Sequence, residues 1–153
     1  MTALNTNARI AVIGAGAMGA GIAQVAAQAG HRVLLLDNRP GAAAQAIDGI
    51  DRQLGKRVEK GKLSTEARTS TMARLKAVEA IEALADCELI IEAIVENLQV
   101  KRELFRQLES LCDERCILAS NTSSLSITGI AAQLKHPQRL LGLHFFNPAP
   151  IMV

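Results

Sequence analysis

The sequence contains no tryptophan or tyrosine and only three phenylalanines. Proteins that grip single-stranded nucleic acid stack its bases on aromatic side chains, so a stacking platform is not expected. Charge of one sign is also lacking: 17 Lys and Arg against 15 Asp and Glu leave a net charge of +2. That is too little for binding that relies on bulk attraction to phosphates, and no nucleic-acid partner is expected. Cysteine is scarce. Cys87, Cys112 and Cys116 are odd in number and contain no CxxC pair, which suits a reducing compartment rather than a disulfide framework. No His/Cys cluster has zinc-ligand spacing, so no metal is expected. Long apolar runs are missing too, and nothing approaches the ~20 residues of a membrane span. Ile10 to Ala23 resembles a signal-peptide core after Arg9, but Gly14, Gly16, Gly19 and Gly21 weaken a membrane-inserting helix. A soluble, cytoplasmic protein without a membrane partner is expected.

What is present centres on Arg9 to Asp37. The apolar run Arg9-Ile10-Ala11-Val12-Ile13 leads into Gly14-Ala15-Gly16-Ala17-Met18-Gly19. An uncharged, Ala/Gly-rich segment follows to Gly30, and a second apolar run, His31 to Leu36, ends at Asp37. This is the βαβ pattern of a dinucleotide site. Gly14 permits the tight turn, Gly16 lets backbone approach a pyrophosphate, and Gly19 lets helix and strand pack closely. Asp37 follows Gly19 by 18 residues, close to the roughly 20 expected for an acid on the adenosine ribose. An acid there repels a 2′-phosphate, which favours NAD over NADP; Arg39 nearby could soften that preference. The plain alternative is a structural glycine turn in another α/β protein.

The rest alternates strands and helices. Residues 1–8 are small and polar and read as a disordered tail; residues 9–153 read as one domain. Strands are expected at Arg9 to Ile13 and Arg32 to Leu36, with a helix from Ala17 to Ala29 ending at Gly30. Pro40 is expected to open a long helix ending near Gly61, with Ile47, Ile50, Leu54 and Val58 on one face. Ser64 should cap a second helix to Ala73, making a helical hairpin inserted between the two halves of the sheet. A weak strand at Leu75 to Val78 and a short helix at Ala80 to Leu84 follow. A buried strand is expected at Glu88 to Ala93. Asn97 should cap a helix whose stripe, Val100, Leu104, Leu108 and Leu111 with Phe105, reads as core and not as a cofactor surface. Further strands are expected at Cys116 to Ala119 and Arg139 to Leu143, around a helix marked by Ile127, Ile130, Ala131 and Leu134. The fold expected is α/β, a Rossmann-type doubly wound and mostly parallel sheet with an inserted helical hairpin.

In such sheets ligands lie beyond the carboxyl ends of the strands. Gly14 to Gly19, Asp37, Glu96, Ser120 to Ser124 and His144 to Asn147 all fall there. An imidazole suits proton transfer from an alcohol that also loses a hydride. Ser123 and Asn147 can hydrogen-bond an oxygen or an amide. Each has a plainer reading. His144 could be a satisfied core residue, Ser123 or Ser124 could cap the helix near Ser126, and Pro148 and Pro150 could only mark a turn. Lys56 and Lys60, one helical turn apart, could receive ligand phosphates or belong to a solvated basic face.

Four stretches together resemble the NAD-binding domain of the 3-hydroxyacyl-CoA dehydrogenases. They are Gly14 to Ala23, Ile91-Glu92-Ala93-Ile94-Val95-Glu96-Asn97 with Lys101, Ser120-Asn121-Thr122-Ser123-Ser124-Leu125, and Gly142-Leu143-His144-Phe145-Phe146-Asn147-Pro148. The resemblance covers nearly all of Arg9 to Val153, and Ala46 to Lys62 is similar to the 3-hydroxyadipyl-CoA branch beside the 3-hydroxybutyryl-CoA one. It implies NAD as cofactor, held by Gly14, Gly16, Ala17, Met18, Gly19, Asp37, Glu96, Lys101, Ser123 and Asn147. It implies a 3-hydroxyacyl-CoA substrate, with His144 as general base and Ser123 and Asn147 beside the reacting groups. Lys56 and Lys60 would meet the coenzyme A portion. The family continues past this point with a glutamate that orients the histidine and a helical domain that closes the cleft and forms a homodimer. On that basis the chain is expected to bind NAD but turn over poorly. A non-catalytic dinucleotide-binding module is the alternative; so is a dehydrogenase for another 3-hydroxy acid, which leaves the His144 to Pro148 motif unexplained.

Overall fold

The computed structural model describes residues 4–5 and 8–151. Six strands form one sheet: β1 (Arg9–Ile13), β2 (Arg32–Leu36), β3 (Leu75–Val78), β4 (Leu89–Glu92), β5 (Ile117–Ser120) and β6 (Leu140–Gly142). Every pairing is parallel and the order is β3-β2-β1-β4-β5-β6. Five helices connect them: α1 (Ala17–Gln28), α2 (Ala42–Glu59), α3 (Thr65–Ala73), α4 (Leu98–Leu111) and α5 (Ile127–Ala131). Single 3₁₀ turns cover Ile81–Leu84 and Pro137–Arg139.

Successive strand residues point to opposite faces. Ile10, Val12, Val33, Leu35 and Ile91 therefore pack on one side with Ile22, Ala23, Ile50 and Leu54 of α1 and α2. Ala11, Ile13, Ile90 and Leu118 pack on the other with Phe105, Leu108 and Ile130 of α4 and α5. Both faces are covered, which is why the strands read as continuous apolar runs. Cys87, Cys112 and Cys116 are buried free thiols within the second layer. Burial pushes the Cys87 thiol up to about 12.

Register gives the sheet its functional edge. Ile13 pairs with both Leu36 and Glu92, Glu92 with Ser120, and Ser120 with Gly142. Leu36 pairs in turn with Val78, so all six strands end on one rung, and the loops after them open at one end of the sheet. The chain reverses its winding between β1 and β4, so the crevice of a doubly wound sheet lies at that end.

Three expectations are corrected. The long helix starts at Ala42, not Pro40: Gly41 takes φ +75° as its N-cap, so Pro40 and Gly41 together make a turn. The α2–α3 hairpin is the crossover between β2 and β3, within the first half of the sheet rather than between the halves. The stripe of α4 is core except at Val100, which is 45% exposed: Phe105 and Leu108 are fully buried, and Leu104 and Leu111 are half-buried against the same cluster. Other boundaries move by a residue or so, and Ser64 and Asn97 cap α3 and α4 through their side chains. Of the expected tail, Ala8 is buried and Leu4 packs against the core, while residues 1–3 and 6–7 lie outside the described residues.

Candidate active site

The turn out of β1 depends on close backbone approach. Gly14 has φ +104°, and a Cβ there would lie 2.4 Å from the Ala93 carbonyl oxygen. A Cβ on Gly19 would lie 1.7 Å from the Gly14 carbonyl oxygen. Gly16 differs: a Cβ there would meet nothing within 4 Å. It faces open space at the N-terminus of α1, where no side chain caps the first turn. First-turn amides and the helix dipole there favour an anion, so this cradle fits a dinucleotide pyrophosphate.

Asp37 leaves β2 on the same rung and braces the loop. Its Oδ2 accepts from the Ala15 amide at 2.7 Å and its Oδ1 from the Arg39 amide at 2.9 Å. The Arg39 guanidinium donates to Oδ1 at 3.0 Å and to Oδ2 at 3.3 Å. That guanidinium, helped by the two amides, outweighs the opposing effect of burial and holds the Asp37 carboxyl at about 2. Beside Asp37 opens a cavity of about 630 Å³ walled by Gly14, Ile94, Val95, Val100 and Leu104. Its size and apolar walls suit an adenosine. Val100 and Leu104 therefore line this cavity.

A second cavity, of about 330 Å³, draws on four separated stretches: Met18, Glu96 with Lys101, Asn121 with Ser123, and His144 with Asn147 line it together with Ala93 and Ile94. His144 is exposed, with its ring edge-on to Phe146 at 5.0 Å, so it is not a satisfied core histidine. Asn121 Oδ1 accepts from the Phe145 amide at 2.8 Å, tying the loop after β5 to the chain that carries His144. The helix near Ser126 is capped by Ser126 itself, which leaves Ser123 as a cavity residue.

Beneath this cavity lies a buried charge network. Lys101 donates to Glu92 Oε1 at 2.5 Å and reaches Glu96 Oε2 at 3.2 Å. Glu92 and Lys101 are 0% and 1% exposed. Ser120 Oγ donates to Glu92 Oε2 at 2.6 Å and the Ile94 amide to Oε1 at 2.7 Å, so the buried carboxylate is fully partnered. Glu96 also accepts from the Thr122 and Ser124 hydroxyls. Burial raises its pKa, but these hydroxyls and Lys101 overcome that and hold it at about 2.

A third cavity, of about 620 Å³, separates the glycine loop from α2 and the Asn147 to Pro150 segment. Ala15, Gly16, Ala17, Arg39, Arg52 and Asn147 are among its walls. Pro148 and Pro150 both mark a turn, closed by the Ile151 amide on the Pro148 carbonyl at 3.0 Å, and line this cavity. Lys56 and Lys60 are exposed beyond Arg52 on α2 and line none of the three cavities.

Of the residues expected to bind cofactor or substrate, Gly14, Gly16, Ala17, Met18, Asp37, Glu96, Lys101, Ser123, His144 and Asn147 line these cavities at the carboxyl end of the sheet, and Gly19 is buried behind them. Ser120 and Asn121 belong to the stretch expected at the crevice, though without roles of their own; Glu92 was not expected in the site. One signal was there: Glu92 is the single charge ending the buried run Leu89 to Glu92, and a buried acid requires a partner.

Comparison with known proteins identifies the family. The family model described as 3-hydroxyacyl-CoA dehydrogenase, NAD binding domain, matches residues 9–153. The 3-hydroxyadipyl-CoA dehydrogenase of Escherichia coli K12 is 54% identical over 143 residues, which are 94% of this chain and 30% of that protein. The 3-hydroxybutyryl-CoA dehydrogenase of Clostridioides difficile is 44% identical over 144 residues, 94% of this chain and 51% of that protein. A crystal structure of 3-hydroxybutyryl-CoA dehydrogenase from E. coli K12 superposes with a TM-score of 0.93 at 53% identity, covering 97% of this chain and 31% of the other. The chain thus spans about a third to a half of the length of these relatives. It belongs to the family of NAD-binding domains of 3-hydroxyacyl-CoA dehydrogenases.

Proposed function

We propose that this chain is the cofactor-binding part of an enzyme that interconverts 3-hydroxyacyl-CoA and 3-oxoacyl-CoA, in the 3-hydroxybutyryl-CoA or 3-hydroxyadipyl-CoA branch. The observation that carries the reading is the gathering of Met18, Glu96, Lys101, Ser123, His144 and Asn147 around one cavity next to an open glycine cradle. A pure dinucleotide binder has no use for that histidine. Asp37 would hold the adenosine ribose and the first-turn amides of α1 the pyrophosphate. Lys101 and Glu96 would lie against the nicotinamide. When bound, the nicotinamide supplies the hydride acceptor. His144 takes the substrate hydroxyl proton on an imidazole nitrogen and returns it in the reverse direction. Ser123 and Asn147 orient the reacting oxygen. Lys56 and Lys60, at the open end of α2, would meet the phosphates of coenzyme A.

Two measurements test this. Titration of the chain with NADH, read by nicotinamide fluorescence, should saturate; no binding would sink the cofactor half of the reading. In a full-length enzyme carrying this domain, His144→Gln should lower turnover by about 10²- to 10⁴-fold with NADH affinity unchanged. Unaltered turnover with intact folding would remove His144 from the chemistry. Binding without any 3-hydroxyacyl-CoA oxidation would favour a non-catalytic module.

A further inference from the structure

A carboxylate offers about four lone-pair positions. In Asp37 all four are filled: by the Ala15 amide, the Arg39 amide, Arg39 Nε and Arg39 Nη2. The Ala15 bond is part of the loop brace, and the Arg39 amide bond is fixed by the chain leaving β2. The two guanidinium bonds are the ones free to go. An adenosine ribose presents two neighbouring hydroxyls, so it can take the acceptor positions only by displacing that side chain. Arg39 can leave easily: its side chain is 68% exposed, while that of Asp37 is 8% exposed. Displaced, it remains tethered two residues from the ribose acid, on the wall it shares with Gly16 and Ala17. A guanidinium recognises phosphate by paired hydrogen bonds.

We propose that Arg39 weakens the preference for NAD that Asp37 imposes, competing with the ribose for Asp37 before the cofactor arrives and offering a cation to a 2′-phosphate once displaced. The proposal rests on the dinucleotide reading above. Both effects act in the same direction. Displacing an exposed ion pair weakens NAD binding, and the released cation strengthens NADP binding, so Arg39 narrows the discrimination that Asp37 alone would impose.

The test compares the wild-type 153-residue chain with Arg39→Ala, each titrated with NADH and with NADPH. An exposed ion pair is worth at most about fivefold in an equilibrium, so the variant should bind NADH up to about fivefold more tightly. NADPH should bind about tenfold more weakly, and that loss should shrink at high salt because the wild-type contact is screened. The ratio of the two dissociation constants should therefore rise about tenfold or more. A change smaller than threefold overturns the role of Arg39 while leaving the dinucleotide site intact. Failure of NADH to saturate either chain overturns both readings, and is distinguished by being independent of residue 39.

Discussion

Gly16 and Gly19 lie three residues apart in one motif, yet alanine should separate folding from binding between them. At Gly19 the new Cβ would sit 1.7 Å from the Gly14 carbonyl oxygen. Real contacts of this kind stay above about 3 Å, so α1 would have to retreat from the turn by more than an ångström. The atom struck is backbone, which places the penalty near the upper end for overpacking, about 3 kcal/mol. Removing a helical glycine returns about 0.5–1 kcal/mol, leaving a net loss of about 2 kcal/mol. For a chain of this length that lowers Tm by about 4–8 °C. At Gly16 nothing lies within 4 Å of the new Cβ, and φ −71° with ψ −174° suits any residue. Loss of a favoured N-cap residue and the gain from a stiffer unfolded chain nearly cancel, so Tm should move by about 2 °C or less. The methyl would instead hold a pyrophosphate away from the first-turn amides. Losing one charge-assisted hydrogen bond, about 1.5–3 kcal/mol, weakens NADH binding by roughly 10- to 100-fold. Thermal unfolding followed by circular dichroism, with NADH titration on the same samples, reads both. A Gly16→Ala chain that binds NADH like the wild type, or a Gly19→Ala chain of unchanged Tm, would refute the assignment.

Other consequences can be checked with the same assays. Glu92→Ala leaves Lys101 buried without its main partner and should cost about 3–5 kcal/mol in urea unfolding; a loss under 1 kcal/mol would mean that the pair is not the buried one seen here. Val100→Asp should weaken NADH binding at almost unchanged stability, whereas Leu108→Ala should cost about 2–5 kcal/mol. Equal stability losses would return Val100 to the core. Asp37 and Glu96, each held at about 2 in the fold, bind protons more weakly there than in the unfolded chain. Their contribution is present above about pH 5 and is lost as pH falls towards 2, on the order of 1 kcal/mol each once solvent screening is allowed for. The urea midpoint should fall over that range, and Asp37→Asn should make the fall shallower; an identical slope would remove Asp37 from the effect.

Much of the fold was legible because its signals are local. β1 and β2 are short apolar runs bounded by charge or glycine, and Ser64 and Asn97 announce their helices by side-chain capping. The loops converged because strand ends fix where loops begin. What stayed hidden depends on partners distant in sequence. Helical spacing groups Val100 with Leu108, but only the packing of α4 against the rest of the domain decides that one faces a cavity and the other a core. Glu92 looked like a strand terminus until Lys101, nine residues on, folded back over it. Pro40 and Gly41 are each reasonable at a helix start, and only the left-handed backbone at Gly41 places the boundary. Arg39 was visible as a neighbour of Asp37; its grip on both oxygens was not.

The shared rung formed by Ile13, Leu36, Glu92, Ser120 and Gly142 makes the crevice a gauge of strand alignment. Side chains alternate along a strand, so a slip of one position in β4 would turn Glu92 to the opposite face and strand Lys101. Such a misassembled chain would keep its helix and strand content and much of its compactness. Spectra that report secondary structure would scarcely notice. Cofactor affinity would, because it needs the strands that carry the site to stop level with one another. For this domain, ligand binding is therefore a sharper proof of correct assembly than any measure of how much structure has formed.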